Sequence, residues 1–243
     1  MARPGRVGPH LRFAACLVVP FLKVFTKCRF ERLDRIPATG GAIVAANHMS
    51  HFDPFPFAYV AWKAGRAPRF LAKASVFKLP LIGWLLRGCG QIPVHRGTSD
   101  ASRALAEAVT AVRAGELVMF YPEGTLTRDP DLWPMVAKTG VARLALETGA
   151  PVIPVAHWGA QDVLAPYGKR FRLLPRKTIR ALVGAPVDLS RWKGAEPTAQ
   201  VLREVTDEIM RQVTLLLAEL RGEPAPAAPY QRPTQLDERR RTA

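Results

Sequence analysis

The residues with the clearest chemical potential lie in one short stretch, where an apolar run ends in Asn47 and His48, and Asp53 follows five residues after the histidine. Pro54 suits the first turn of a helix that Asp53 or Ser50 could cap, so we predict a tight turn between a strand and a helix. If the Asp53 carboxylate accepts a hydrogen bond from one imidazole nitrogen, the other nitrogen is left as a base. Such a pair can activate a hydroxyl group.

The spacing of this pair is compatible with two other interpretations. Asp53 could simply cap the helix while His48 packs in the turn. Alternatively, His48, His51 and Asp53 could bind a metal ion, as in metallo-hydrolases. The sequence lacks the closely spaced His-x-His pair and the downstream ligands of such sites, and its three cysteines form no CxxC pair. We therefore expect no metal, and a reducing compartment.

Short apolar runs bounded by Gly, Pro or charged residues predict the elements that position these residues. The predicted strands are residues 42–46, 69–72, 91–94, 117–121, 152–156 and 178–183. The predicted helices are residues 54–62, 99–114, 136–147 and 197–220. Strands that alternate with helices predict an α/β layer with a mainly parallel sheet, and ligand sites in such folds gather at the carboxyl ends of the strands.

Further strand ends carry residues suited to anions or hydroxyl groups. Arg96 follows the third predicted strand, and its planar guanidinium matches phosphate oxygens. The turn Glu123-Gly124-Thr125 follows the fourth, where the glycine lets backbone amides approach an anion and the carboxylate can bond a substrate hydroxyl or orient a basic residue. The fifth strand contains an Ile-Pro-Val run that ends at Val155.

Taken in order, these blocks resemble the glycerolipid acyltransferase family, which includes 1-acyl-glycerol-3-phosphate acyltransferases. The blocks are Asn-His-x4-Asp from Asn47, Gly-x-Ile-x-x-x-Arg from Gly90, Tyr-Pro-Glu-Gly-Thr from Tyr121 and Val-Ile-Pro-Val from Val152. The resemblance implies a single α/β domain with a central, mainly parallel mixed sheet flanked by helices. Separately, the basic and apolar N-terminal residues predict a helical segment at the membrane interface.

The implied activity is transfer of a fatty acyl chain from acyl-CoA or acyl-carrier protein to the sn-2 hydroxyl of 1-acyl-glycerol-3-phosphate, giving phosphatidic acid for phospholipid biosynthesis. The resemblance implies direct transfer, with no covalent acyl-enzyme, metal or cofactor. Because the four blocks are widely shared, the acceptor could instead be glycerol-3-phosphate, lysophosphatidylglycerol or another lysophospholipid, a lyso-ornithine lipid or a glycolipid.

The resemblance also implies roles for individual residues. His48 would be the general base, Asp53 its orienting partner and Arg96 the main phosphate clamp. The other implied substrate-binding residues are Asn47, Lys73, Glu123, Gly124, Thr125, Arg128 and Lys138.

One position departs from the family pattern. Many relatives carry an arginine directly after Glu-Gly-Thr, whereas this chain has Leu126. We hypothesise that Arg128 or Lys138 supplies the missing positive charge. If neither does, the acceptor would be a lysophospholipid with a larger head group.

The composition and net charge indicate which class of molecule the protein binds. The 243 residues include 35 Lys and Arg against 20 Asp and Glu, a net charge of +15, and 48% are hydrophobic, which excludes disorder of the whole chain. The charge predicts an anionic partner. Residues 169–180 hold six basic residues, as nucleic-acid-binding segments do, but no nucleic-acid module is present and we expect no nucleic acid. A catalytically silent lipid-transfer or scaffold protein is disfavoured because His48, Asp53, Arg96 and Glu123 are all present.

Three segments are predicted. Residues 1–34 form a basic and apolar segment at an anionic phospholipid membrane, too short to span roughly 30 Å of hydrocarbon. A core helix with basic flanks is the alternative. Residues 35–221 form the catalytic domain, and residues 222–243 a disordered tail.

The predicted location is the cytoplasmic face of the cell membrane, peripheral or monotopic. The predicted membrane-facing residues are Phe13, Leu17, Phe21, Val24 and Phe25, and the candidate donor-binding residues are Arg66, Arg69, Lys73, Lys78 and Arg87.

Overall fold

The computed structural model describes residues 8–95 and 100–231, which form a seven-stranded sheet flanked by helices. The elements in chain order are α1 (Pro9–Phe25), β1 (Thr26–Glu31), β2 (Ala42–Ala46), α2 (Pro54–Lys63), β3 (Pro68–Lys73), α3 (Pro80–Gly88), β4 (Ile92–Val94), α4 (Asp100–Arg113), β5 (Leu117–Phe120), α5 (Gly140–Thr148), β6 (Val152–Trp158), α6 (Ala160–Val163), β7 (Lys177–Val183) and α7 (Ala199–Arg221). The strand order is β1-β7-β6-β2-β5-β3-β4, and neighbouring strands are parallel except for β6 and β7. The predicted α/β fold with a mainly parallel sheet is confirmed.

The central strand β2 is buried along its whole length. Ile43 and Ala45 pack in an apolar cluster with α4, α5 and α7, whereas Val44 and Ala46 pack in a second cluster with α2. Because helices cover both faces, this strand is a continuous apolar run and does not alternate with polar residues. The turn that follows Ala46 is therefore anchored between two packed layers.

The first strand departs from the predicted organisation. β1 lies within residues 1–34, yet it pairs in parallel with β7 from Thr26 to Glu31, so the sheet begins before residue 35. Its exposed positions are Lys27, Arg29 and Glu31, which alternate with more buried ones. Charged side chains that alternate in this way are typical of an edge strand.

The fifth helix begins at Gly140, later than the predicted residue 136. The backbone N–H of Val136 donates to the Tyr230 carbonyl at 3.1 Å, and the N–H of Lys138 donates to the Pro122 carbonyl at 2.9 Å. These contacts tie the segment to other parts of the chain, and it forms a loop instead of a first helical turn.

The chain continues in a defined path after α7. Gly222 adopts a left-handed conformation that ends the helix, and residues 224–231 then return to the loop before α5, where Tyr230 forms a parallel bridge with Met135. This part of the predicted disordered tail is therefore ordered by backbone contacts. Residues 232–243 lie outside the described residues.

Candidate active site

The predicted pair of His48 and Asp53 comes together at the carboxyl end of β2. His48 Nδ1 lies 2.9 Å from Asp53 Oδ2, and the backbone N–H groups of Met49 and Ser50 donate to the same oxygen at 2.7 and 2.8 Å. The Asp53 side chain is fully buried, whereas 14% of the His48 side chain is exposed. Asp53 makes no side-chain cap to α2, so the interpretation of this residue as a simple helix cap does not hold.

A second histidine lies behind the carboxylate. His157, on β6, is 2% exposed, and its Nδ1 lies 3.7 Å from Asp53 Oδ1, an oxygen that accepts no hydrogen bond from the described residues. Burial lowers the pKa of His157, against an opposing effect of the nearby Asp53 charge. A buried imidazole held neutral in this way leaves the negative charge of Asp53 to act on His48.

Asn47 ties β2 to β6 behind the turn. Its Nδ2 donates to the His157 carbonyl at 3.1 Å, its Oδ1 accepts from the His157 N–H at 3.0 Å, and the residue is 1% exposed. Both ends of the amide are thus engaged by the protein. This corrects the prediction that Asn47 contacts substrate, since its side chain instead fixes the strand ends that carry the site.

The ring of Tyr121 was missed by the sequence analysis. It stacks on the His48 imidazole with ring centroids 4.0 Å apart and an interplanar angle of 14°. Its hydroxyl is buried and forms no hydrogen bond with the part of the chain that the structure describes, and burial together with the charge of Asp53 raises the pKa of Tyr121 well above the ordinary value. The stacking fixes the plane of the imidazole. Its position at the end of β5, immediately before Pro-Glu-Gly, was the only signal for it.

Glu123 connects the turn after β5 to the histidine. Its two carboxyl oxygens accept hydrogen bonds from the backbone N–H groups of His48 and Met135, at 2.9 and 3.0 Å. The residue is 3% exposed, and desolvation raises its pKa to about 8 although the two backbone donors oppose this effect. Glu123 therefore positions two loops, and because it also lines a cavity beside the glycine turn, its predicted contact with substrate stays a prediction.

The glycine turn opens onto two cavities that share Gly124 and Lys138. The strand cavity, of about 190 Å³, includes Lys73 and Tyr121 in its lining. The turn cavity, of about 610 Å³, is lined by Glu123, Gly124, Thr125, Met135, Val136, Lys138 and Gln231. Gly124 has φ 68°, a conformation that favours glycine. The side chain of the exposed Lys138 lies within van der Waals contact of the position that a Cβ at residue 124 would occupy.

The other predicted cations differ in position. Arg128 is exposed and lines neither cavity, so Lys138 is the better placed of the two candidates for the missing charge. Arg96 lies outside the described residues. Arg66 is buried and donates to three backbone carbonyls, Arg69 bonds Glu116 and the Gly90 carbonyl, and Arg87 bonds the Phe77 carbonyl.

Those contacts give the buried Arg66 a structural role, which corrects the prediction that it receives the acyl donor. Arg69 is partly buried and Arg87 is exposed, so their binding of the donor stays a prediction. Lys73 and Lys78 are exposed. Within residues 8–95 and 100–231, no three His, Cys, Asp or Glu side chains are grouped so that they could hold a metal ion. The third proposed ligand, His51, is exposed, with its ring 6.4 Å from that of Tyr167.

A family model described as Acyltransferase matches residues 27–158, more than half of the chain and all of the elements that carry the His48 and Glu123 turns. The chain belongs to the acyltransferase family. This acyltransferase is 28% identical over 165 residues to a chloroplastic 1-acyl-sn-glycerol-3-phosphate acyltransferase of Brassica napus, a match that covers 67% of the chain and 46% of the relative.

Two bacterial proteins are also similar to this chain. The 1-acyl-sn-glycerol-3-phosphate acyltransferase of Borreliella burgdorferi is 31% identical over 151 residues, covering 61% of this chain and 58% of the relative. The crystal structure of the 1-acyl-sn-glycerophosphate acyltransferase PlsC from Thermotoga maritima aligns with a TM-score of 0.65 at 24% identity, covering 88% of this chain and 81% of that one. The latter shows the fold. The chain spans about half the length of the plant relatives that it matches.

Proposed function

We propose that this acyltransferase moves a fatty acyl group from an acyl thioester to the sn-2 hydroxyl of lysophosphatidic acid, giving phosphatidic acid. The observation that carries the proposal is the buried Asp53 carboxylate 2.9 Å from Nδ1 of a partly exposed His48. No described residue bonds Nε2 of that ring, so this nitrogen is available as the base. The relatives named as 1-acyl-sn-glycerol-3-phosphate acyltransferases agree with this reaction.

The proposed step needs no covalent acyl-enzyme. As the acceptor oxygen attacks the thioester carbonyl, its proton passes to Nε2 of His48, and Asp53 stabilises the imidazolium that forms. The tetrahedral intermediate then collapses, the C–S bond breaks, and the proton passes to the departing sulfur. Since a thioester is already reactive, holding the hydroxyl beside the base supplies much of the acceleration.

The cavities beside the glycine turn suit the polar end of the acceptor. Lys138 lines both, Lys73 lines the strand cavity, and Thr125 and the backbone at Gly124 line the turn cavity. Ammonium groups and backbone amides are the donors that bind phosphate oxygens. We therefore assign the phosphate of the acceptor to this region, with Lys138 in place of the arginine that many relatives carry after the Glu-Gly-Thr turn. The donor is acyl-CoA or acyl-carrier protein.

Helices α1 and α3 provide the proposed membrane contact. Exposed apolar side chains lie on α1 and α3, which pack together through Phe13 and Trp84, whose ring centroids are 6.5 Å apart. These exposed side chains are Phe13, Leu17, Val24, Leu81, Ile82 and Trp84. Phe21 and Phe25, predicted to face lipid, are partly buried instead, and Phe21 packs against Phe52. Within the described part of the chain, none of the helices is both long and apolar enough to cross a bilayer.

An apolar cavity of about 200 Å³ lies beneath that surface, between α1, α2, β3 and α3. Phe70 lines it and also stacks with Tyr121, which covers His48. This continuity of rings suits an acyl chain whose carbonyl lies near the base. Ligand pockets usually exceed about 300 Å³, so a long chain would extend beyond this cavity towards lipid.

The test is a matrix of lyso-acceptors and acyl donors with the purified protein, with products identified by mass. We expect phosphatidic acid from lysophosphatidic acid, and at least about a 100-fold loss of kcat in His48→Ala, because the general base is removed. His51→Ala, in the same loop but with an exposed ring, is the matched control. Undiminished transfer by the His48 variant would refute the mechanism. Equal rates on lysophosphatidylglycerol would instead favour an acceptor with a larger head group.

A further inference from the structure

The segment after α7, residues 224–231, is named here the C-terminal strap. Its root is fixed by Arg221, whose guanidinium lies between two indole rings, 4.2 Å from the centroid of Trp133 and 4.4 Å from that of Trp158. Arg221 Nη1 also donates to the Asp131 carbonyl at 2.7 Å, and Nη2 pairs with Glu223 at 2.5 Å. The strap therefore leaves α7 from a firmly held point beside the loop that precedes α5.

The far end of the strap is attached to the same loop. The Tyr230 carbonyl accepts from the Val136 N–H at 3.1 Å, and Tyr230 forms a parallel bridge with Met135. The Met135 N–H in turn donates to Glu123, whose other oxygen holds the His48 backbone. One backbone hydrogen bond, followed by two hydrogen bonds from backbone N–H groups to the Glu123 carboxyl, thus joins the strap to the turn that carries the base.

The last described residue of the strap, Gln231, lines the turn cavity together with Gly124, Thr125 and Lys138. A second cavity of about 600 Å³ lies between the strap and α7, and it shares Met135, Val136 and Gln231 with the turn cavity. The strap therefore lies between the turn cavity and this second cavity. The side-chain amide of Gln231 can donate to a phosphate oxygen and accept from a glycerol hydroxyl.

We propose that the C-terminal strap completes the acceptor site and that Gln231 contacts the polar head of the acceptor. By closing one side of the turn cavity, the strap favours a free phosphate monoester over a phosphodiester with a larger head group. The inference rests on the proposed acyl transfer to a lysophospholipid, and it adds a determinant of specificity that lies outside the four sequence blocks. Lys138 supplies charge to the same cavity, and Gln231 supplies a neutral donor.

The experiment compares four proteins with the full chain: a chain that ends at Gln235, a chain that ends at Glu223, and the full-length variants Gln231→Ala and Gln200→Ala. The first truncation keeps the strap and the second removes it. Gln200 is exposed on α7 and serves as the matched control. Steady-state rates are measured with lysophosphatidic acid and with lysophosphatidylglycerol, at fixed acyl-CoA, and KM for acyl-CoA is measured separately.

We expect loss of the strap to raise KM for lysophosphatidic acid about 10-fold, as expected for loss of a hydrogen bond to a charged group, and to reduce the preference for this acceptor by a similar factor. Gln231→Ala should shift both quantities in the same direction by at least about 3-fold. The chain that ends at Gln235 and the Gln200 variant should match the full chain. KM for acyl-CoA should stay within about 2-fold throughout, since the donor is bound elsewhere.

An unchanged acceptor preference in both the strap deletion and Gln231→Ala would overturn the inference. So would an equal loss for both acceptors, because a strap that only supports the fold would not discriminate between head groups. Should the shortened chain not fold, the full-length Gln231 variant decides alone. Failure of the full chain to acylate either lysophospholipid would instead refute the proposed function, and the strap inference with it.

Discussion

Replacing Asp53 by Asn separates the catalytic role of this carboxylate from its structural role. Three donors converge on Oδ2, namely His48 Nδ1 and the N–H groups of Met49 and Ser50, so an asparagine must direct its carbonyl oxygen to that position. Its Nδ2 then occupies the place of Oδ1, near His157 Nδ1, which is not hydrogen-bonded to any other described residue and can accept a hydrogen bond. The variant should therefore fold with the turn intact.

The catalytic loss follows from the missing charge. A carboxylate and an imidazolium whose charge centres are about 4 Å apart attract by about 4 kcal/mol at an effective dielectric constant of about 20. Since about 1.4 kcal/mol corresponds to a tenfold change in rate, we expect kcat to fall about 1000-fold in Asp53→Asn with KM for the acceptor nearly unchanged. The melting temperature should stay close to that of the parent protein.

The assay follows release of free thiol from acyl-CoA with lysophosphatidic acid, alongside thermal unfolding of each variant. Asp162→Asn, an exposed position on α6, is the matched control. Asp53→Ala should lose activity and also stability, because it leaves the Met49 and Ser50 amides without their acceptor at about 1–3 kcal/mol each. A kcat for Asp53→Asn within threefold of the parent would refute the assignment of this charge to catalysis. A melting temperature as low as that of the alanine variant would refute the argument about the turn.

Two further predictions concern buried polar groups. In the folded protein the pKa of Glu123 is about 8, against 4.5 ordinarily, so between these pH values the folded state binds more protons than the unfolded state. The free energy of unfolding should therefore fall as pH rises from about 5 to about 8, by up to about 1.4 kcal/mol per pH unit. Urea unfolding at several pH values measures this slope. The variant Glu123→Gln should lose the slope, whereas Glu196→Gln, at an exposed position, should keep it. An identical slope in both variants would contradict the prediction. Asn47→Ala should lower the free energy of unfolding by about 3 kcal/mol, because the buried N–H and carbonyl of His157 both lose their partner. Asn47→Asp should also destabilise the folded protein, since it places a carboxylate oxygen against the His157 carbonyl. An Asn47→Ala variant as stable as the parent would show that the pairing of the strand ends does not depend on this amide.

The sequence pattern was sufficient for the parts of the fold that depend on local burial. The strands β2, β5 and β6 are short apolar runs because helices cover both faces of the sheet, and such runs are visible without any tertiary information. β1 was missed because its charged residues, such as Lys27 and Arg29, alternate along an exposed edge. Its membership of the sheet depends on pairing with β7, about 150 residues later in the chain.

The site was predicted where the chemistry is local in sequence. His48 and Asp53 are five residues apart in one turn, and their spacing allows the hydrogen bond that forms. The roles of Asn47 and Glu123 depend instead on which backbone lies opposite each side chain. Asn47 meets the backbone of His157 only because β2 and β6 are neighbours, and Glu123 meets Met135 only because the loop before α5 folds back. Strand adjacency and loop closure are tertiary properties that a residue type alone does not reveal.

The position of Glu123 links acceptor recognition to the placement of the base. One oxygen holds the backbone of His48 and the other holds Met135, so a shift of the loop before α5 would move the carboxyl group that orients the histidine turn. Gly124 follows directly and lines both cavities, which means that an acceptor bound against this turn contacts the segment that positions its own base. The low exposure of Glu123 keeps water from competing for these two hydrogen bonds. A carboxyl side chain at this position is therefore explained by positioning alone, without requiring it to touch the substrate.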